Sequence, residues 1–233
     1  LSPVQITNRN IITNDSLTLQ PTGELRSTSG KSFLWSELDN DQKQDLRQNF
    51  DSTQTTLAVA EQRLDYLRGD RSEERNLSTN PSGPFRERDS RLGDIINSNP
   101  QFIHQQNFGY QNLSEVSAFS GVSDYNTFRA SAVYQNRPPM VIVGGNDGML
   151  HGFNASTGGD GGKELFAYVP SDIMGNLGEL TELNYTHRYY VDGSPRVSDA
   201  WLGGTLGWRT LAVGSTGAGG RSVFALEVER SGS

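Results

Sequence analysis

Two rhythms of apolar residues run along the chain. Leu57, Ala60, Leu64 and Leu67 recur at helical spacing, which predicts one apolar stripe on a helix over about Thr55 to Leu67. Gly69 stands where that helix would stop. An earlier helix is predicted near 36–50, because Ser36 with Asp39 three residues on makes an approximate capping box. Its acids Glu37, Asp39, Asp41 and Asp45 fall mostly in the first turns, where they complement the helix dipole. Residues 1–33, rich in Asn, Thr, Ser and Gln, keep no period and read as loop or irregular edge strand.

From Gly93 the rhythm shortens. "MVIVGG", "MLHGF", "ELFAYVP", "HRYYVDG", "RTLAVG" and "SVFALEV" are brief apolar or aromatic runs separated by Gly, Asn, Asp and Pro, the pattern of consecutive strands joined by tight turns. Between them, "SDIMGNLGELTELNYTH" reads as a short helix and loop. The charged stretch 70–92, with two prolines and Gly83, reads as a loop or linker. The expected layout is therefore an irregular and helical lead-in over 1–90 and a strand-rich region over 91–233.

That region repeats itself. "VIVGGNDGMLHGFNASTGG" aligns with "TLAVGSTGAGGRSVFALEVERSG": a strand ending in Val143-Gly144 or Val213-Gly214, a glycine turn, then a strand holding Phe153-Asn154-Ala155 or Phe224-Ala225. Copies about 70 residues apart fit adjacent propeller blades with an insertion, since a four-stranded blade takes roughly 40 to 50 residues. Asp147-Gly148 in the first copy is a type I′ hairpin signal. The fold class expected from the repeat is mainly β, the first blades of a β-propeller preceded by a short helical segment.

Composition sharpens this picture. Glycine at 26 of 233 residues favours a turn-dense β protein, and a hydrophobic content of 33% with mean hydropathy −0.58 marks a polar chain. A net charge of −7 with scattered bases argues against a sequence-independent grip on nucleic acid. The absence of cysteine excludes disulfides, thiolate zinc sites and a cysteine nucleophile. No apolar run is long enough to span a membrane as a helix. Opening on Leu1, the chain reads as a piece of a longer or processed protein.

Candidate chemistry is thin. "GSTGAGGRS" (214–222) places Gly220 where a phosphate-binding loop needs lysine, and a strand rather than a helix follows it. "DNDQKQD" (39–45) lacks the glycine and the terminal glutamate of a calcium loop, and sits within the predicted helix. His104, His151 and His187 each lie beside strand-like aromatics without a nucleophile elbow, so each reads as a structural residue with a satisfied ring. No catalytic, cofactor-binding or metal-binding residue is assigned, and the chain is read as non-enzymatic. Arg68, Gly69 and Asp70 form the tripeptide that integrins read, a candidate adhesion motif, although Gly69 already has a use as a helix stop.

Taken together, Asn146-Asp147-Gly148-Met149-Leu150-His151, Gly162 to Phe166, His187-Arg188-Tyr189-Tyr190-Val191-Asp192-Gly193 with Pro195, and Gly217 to Arg221 resemble the PilY/PilC family of type IV pilus tip-associated proteins. "LGDIINSNPQFI" (92–103) is similar to the start of that family's propeller. The resemblance implies a modified propeller, exported to the pilus tip, outer membrane and cell surface of a Gram-negative bacterium. It further implies pilus biogenesis supporting extension against retraction, adhesion, twitching motility, and virulence. The partners it implies are minor pilins, and for adhesion a host integrin or other receptor. It implies calcium in an Asp-rich loop expected beyond Ser233, with no ligand for it in this chain. About two blades cannot close a propeller, so the rest of the ring is expected from the same or a cleaved chain. A second reading is a quinoprotein-like propeller, either a quinone-dependent dehydrogenase or an envelope scaffold. "GGNDGMLHGFNASTGG" resembles that repeat too, but the His187–Gly193 segment does not.

Overall fold

The two Val-Gly copies fold as equivalent antiparallel hairpins. In a computed structural model that describes residues 8–15, 18–19, 25–26, 29–113, 125–203 and 206–228, one hairpin pairs Met140–Gly144 with Leu150–Asn154. The other pairs Trp208–Ser215 with Val223–Glu227. In chain order the strands are β1 (Ile11–Asn14), β2 (Thr18–Leu19), β3 (Leu25–Arg26), β4 (Gly30–Ser32), β5 (Gln101–Ile103), β6 (Met140–Gly144), β7 (Leu150–Asn154), β8 (Glu164–Val169), β9 (Arg196–Trp201), β10 (Trp208–Ser215) and β11 (Val223–Glu227).

They form a large sheet in the order β4-β1-β8-β7-β6-β5, a three-stranded sheet β11-β10-β9, and a β2-β3 pair. The antiparallel run β5-β6-β7-β8 is the first blade, and β9-β10-β11 begins the second. The mainly β, blade-built class is as the rhythm predicts, and among the described residues the sheets do not close into a ring.

The lead-in departs most from expectation. Its strand β1 is no irregular edge: it lies inside the large sheet, parallel to β8 with Ile11 opposite Ala167, and antiparallel to β4. The first helix is shorter than 36–50. It is α1 (Asn40–Asp45), and its N-cap is Asp39, which accepts from the Gln42 amide while Gln42 Oε1 accepts from the Asp39 amide. The capping box thus starts at Asp39, and not at Ser36, because Gln42 supplies the amide side chain the reciprocal bond needs.

Helix α2 (Leu57–Leu67) matches its stripe closely, with Thr56 as N-cap. Ala60, Leu64 and Leu67 are buried, while Leu57 in the first turn is 48% exposed. The helix ends in a Schellman motif: Gly69 N–H donates to Tyr66 O and Asp70 N–H to Asp65 O, with Gly69 at φ 110°.

Residues 171–181 form a 3-10 helix. With three residues per turn, Met174, Leu177 and Leu180 line up along one side, and all are buried against α1 and α2. Short helices α3 (Tyr125–Ala130) and α4 (Ala132–Gln135) lie on the long β5–β6 connection.

The expected boundary near 70–92 does not separate two cores. Ile11, Phe33, Leu46, Leu64 and Phe85 share one apolar cluster with Leu150, Val169, Met174 and Tyr190. Each large side chain so buried contributes about 1.5–3 kcal/mol. The stretch 70–92 is itself anchored: Arg88 Nε donates to Glu74 at 2.6 Å, its guanidinium stacks 3.5 Å from the Tyr66 ring, and Tyr66 meets Phe85 edge-on. A polar composition hid one buried ion pair and one buried aromatic.

Candidate functional site

The hairpin between β6 and β7 builds the centre of the site. Gly145 N–H donates to Met149 O, and Gly148 N–H to Gly145 O, so Asn146, Asp147 and Gly148 make a three-residue loop. Gly148 takes φ 90° and Asp147 does not take positive φ. A type I′ turn requires positive φ at both central residues, so the observed loop is the alternative in which a turn is closed by one left-handed glycine.

This loop aims Asp147 back at His151 on β7. His151 is fully buried; its Nε2 lies 3.0 Å from Asp147 Oδ1, and its Nδ1 2.8 Å from Glu164 Oε1 on β8. Glu164 also accepts from Arg9, through Nε at 2.6 Å and Nη2 at 2.8 Å. Arg9 Nη1 reaches on to the Arg68 carbonyl, and Asp147 accepts from the Gly93 amide at 3.0 Å. A carboxylate faces each ring nitrogen, so the doubly protonated imidazolium donates to both, and the chain Asp147–His151–Glu164–Arg9 alternates in sign and sums to zero. Burial alone would lower the His151 pKa, but the Asp147 charge and the hydrogen bonds to Asp147 and Glu164 outweigh it and push it up to about 9. The same contacts overcome burial to hold Asp147 and Glu164 below the ordinary carboxylate range.

His151 is thus the satisfied structural ring the sequence suggests. The partners on β8 and in the lead-in were not foreseen. Asp147 four residues before His151 was a legible signal; Arg9, in an aperiodic stretch, carried none. His187 instead pairs with Asp94 at 2.8 Å on the surface, and His104 packs at 6.1 Å from Phe102 just after β5.

Beside this network the stretches that carry the family resemblance meet one another. Asn146 Oδ1 accepts from the Tyr190 amide at 3.1 Å, and Ser98 Oγ accepts from the Gly144 amide at 2.9 Å. Asp192, 4% exposed, accepts from the Asn97 amide and from Asn97 Nδ2. Asp192 N–H and Gly193 N–H donate to Thr216 O and Ser215 O at the end of β10. Gly219 approaches so closely that a Cβ there would lie 2.1 Å from Tyr190 O. The junction therefore ties residues 97–99, the first hairpin loop, 190–193 and the second hairpin loop together. A second polar cluster lies on the β9–β10 pair, where buried Asp199 accepts from Tyr125 Oη at 2.6 Å and Thr210 Oγ1 at 2.5 Å.

The candidate adhesion tripeptide is used internally in part. Arg68 is 8% exposed, with Nη1 donating to Phe33 O and Nη2 to Arg9 O; Gly69 closes the helix; Asp70 is exposed and accepts from the Ser72 amide. Asp70 alone faces outward. Among the described residues no group of three or more His, Asp or Glu side chains is arranged to hold a metal ion, so the calcium implied by the resemblance has no fitting donor set there. No helix among them is long and apolar enough to cross a membrane.

A family model described as the PilY1 beta-propeller domain matches residues 92–233, more than half of the chain. The chain belongs to the PilY1 family. The PilY1 match begins at Leu92, a few residues before the junction segment 97–99, and covers every blade strand from β5 onward. A type IV pilus biogenesis factor PilY1 homolog of Xylella fastidiosa is 46% identical over 75% of this chain and 13% of its own length. The type IV pilus biogenesis factor PilY1 of Pseudomonas aeruginosa strain PAK is 41% identical over 86% of this chain and 16% of its own. The chain thus spans about one-sixth or less of these curated relatives. The crystal structure of the Pseudomonas aeruginosa PilY1 C-terminal domain aligns at 44% identity over 45% of this chain and 18% of that one, with a TM-score of 0.33.

Proposed function

We propose that this chain is the opening part of the propeller in a non-enzymatic type IV pilus biogenesis factor. The factor would be exported to the pilus tip and cell surface, support pilus extension against retraction, and contribute to adhesion and twitching motility. The observation that supports this reading is the junction. The residues that resemble the family hold two blades and the lead-in together, and the one buried histidine sits between two carboxylates with no exposed face for a substrate. Such a unit acts as a rigid scaffold. Minor pilins are the proposed pilus partners, and the calcium loop is proposed to lie outside these residues.

The reading is tested in the full-length protein. Replacing Asp192 with Ala removes both acceptors of Asn97 and is expected to reduce surface pilin, measured by immunoblot of sheared pili. Surface pilin is expected to recover partly in cells unable to retract pili. Normal surface pilin despite a loosened junction would sink the scaffold reading; no recovery without retraction would sink the extension role. For adhesion, Asp70→Ala is expected to weaken attachment to integrin-coated surfaces without unfolding the protein. Unchanged attachment removes the tripeptide from the adhesive surface.

A further inference from the structure

A cleft of about 460 Å³ opens between the lead-in and the first blade, where Tyr66, Arg86 and residues 88–94 face Asn146, Leu180, Tyr185 and His187. It uses neither His151 nor the Asp192 contacts. Its wall carries two arginine–tyrosine stacks, Arg88 over Tyr66 at 3.5 Å and Arg86 over Tyr185 at 4.3 Å. Their circumstances differ. Arg88 is paired with Glu74 and further held by the Tyr66 and Asp70 carbonyls. Arg86 donates Nε to the Leu180 carbonyl at 2.8 Å and has no acidic partner among the described residues. A guanidinium stacked by its face keeps its edge available for a planar, two-pronged acceptor.

A second observation points the same way. Asn146 is 4% exposed and lines the cleft; its Oδ1 is satisfied by the Tyr190 amide, but its Nδ2 has no hydrogen-bond partner among the described residues. A buried amide donor left unpaired is unusual enough to call for an acceptor. The acids of the wall do not compete strongly for Arg86. Asp147 is neutralised by His151, and Asp94 is paired with His187 at 2.8 Å. Asp89 is exposed.

We propose that this cleft binds a peptide carboxylate, held by the Arg86 fork and the Asn146 side-chain amide, with an adjacent apolar residue resting on Leu180 and the tyrosines. The carboxylate has two sources, an aspartate or glutamate side chain or a chain terminus. Three blocked dipeptides separate them: acetyl-Leu-Asp-amide, acetyl-Ala-Leu with a free C-terminus, and acetyl-Leu-Asn-amide as the neutral control. They are titrated into isotope-labelled protein while the Arg86 Nε–H and Asn146 Nδ2 signals are followed by NMR.

Saturable movement of both signals is expected with at least one acidic peptide, at roughly millimolar affinity for so small a ligand. Which acidic peptide binds tells which source is read. The neutral control is expected to bind about tenfold or more weaker. Arg86→Gln is expected to lose the difference, and Arg86→Lys to keep part of it. Equal binding of the neutral peptide, saturation that leaves both side chains unmoved, or no saturation by any of the three overturns the proposal. The comparison of peptides on the unaltered protein needs no variant to fold. The site stands apart from the pilus reading: protein that assembles pili normally and ignores the peptides rejects the cleft alone.

Discussion

Two glycines show what a single Cβ decides. At Gly219 a Cβ would meet the Tyr190 carbonyl oxygen at 2.1 Å, whereas at Gly158 it would meet nothing within 4 Å. Gly219→Ala is therefore expected to cost about 2 kcal/mol or more, because backbone must move. Gly158→Ala is expected to stay within about 0.5 kcal/mol. Denaturant midpoints compare them directly, and equal midpoints would refute the close approach. His151 makes a pH prediction. Facing Asp147 from its own hairpin, Glu164 from β8 and Arg9 beyond, it titrates near 9 when folded against 6.5 when unfolded. A raised folded pKa means the stabilisation is complete below about pH 6.5 and disappears as pH rises through about 9, an effect on the order of 3 kcal/mol. Asp147 and Glu164, held low, act in the opposite sense: their stabilisation is present above their ordinary values of 3.8 and 4.5 and is lost in acid. Stability should peak between these limits, and His151→Gln should flatten the alkaline limb of a midpoint-against-pH curve. A limb unchanged in the variant would place the titration elsewhere.

At the scale of elements, α2 separates buried from exposed positions within one stripe. Leu64→Ala should cost about 2–5 kcal/mol, since Leu64 is 1% exposed. Leu57→Ala should cost little, since that side chain stands at the solvent-facing first turn. Similar losses at both sites would mean that the helix packs differently. Much of the architecture was legible because it is local. Alternation and Gly punctuation marked β6, β7, β10 and β11, and the Val-Gly repeat marked their pairing. What stayed hidden depends on distant residues. Nothing within Ile11–Asn14 says that it will lie between β4 and β8, because its partners are Ser32 and Ala167 and its own pattern is too short to carry a period. The capping box was misplaced by three residues because Asp39 suits either end of such a box, and only the reciprocal Gln42 bond decides. The site divides in the same way. Asp147 and His151 are visible together across one hairpin, while Glu164, Arg9 and the Asn97–Asp192 contact come from separate stretches of chain.

For the whole molecule, the shared core means that the lead-in and first blade should unfold together. The large cluster joins Phe33, Leu64 and Phe85 to Leu150, Val169 and Met174, so neither part keeps a core when the other leaves. The second sheet differs. Besides the junction, it meets the first blade through a small cluster of Ile103, Ile142, Ala212 and Val228 and through Phe224 and Leu226, which are only partly buried against the large core, and along β11 Val223 and Glu227 stay exposed. Native-state hydrogen exchange should therefore show slow amides in β7 and β8 and faster ones along β11. Uniform protection across both sheets would contradict this ordering.

The parallel pairing of β1 with β8 also sets a timetable. Thr13 hydroxyl donates to a carbonyl 156 positions later, at Val169. A ribosome adding about 5–20 residues per second would leave β1 waiting roughly ten to thirty seconds for its neighbour to emerge. During that interval β1 has only β4 to pair with, and Ile11, destined for burial, lacks the β8 side of its sheet. Within the large sheet β1 is made before β8 and completes its pairing late, and the polar residues 1–33 around it suit that delay.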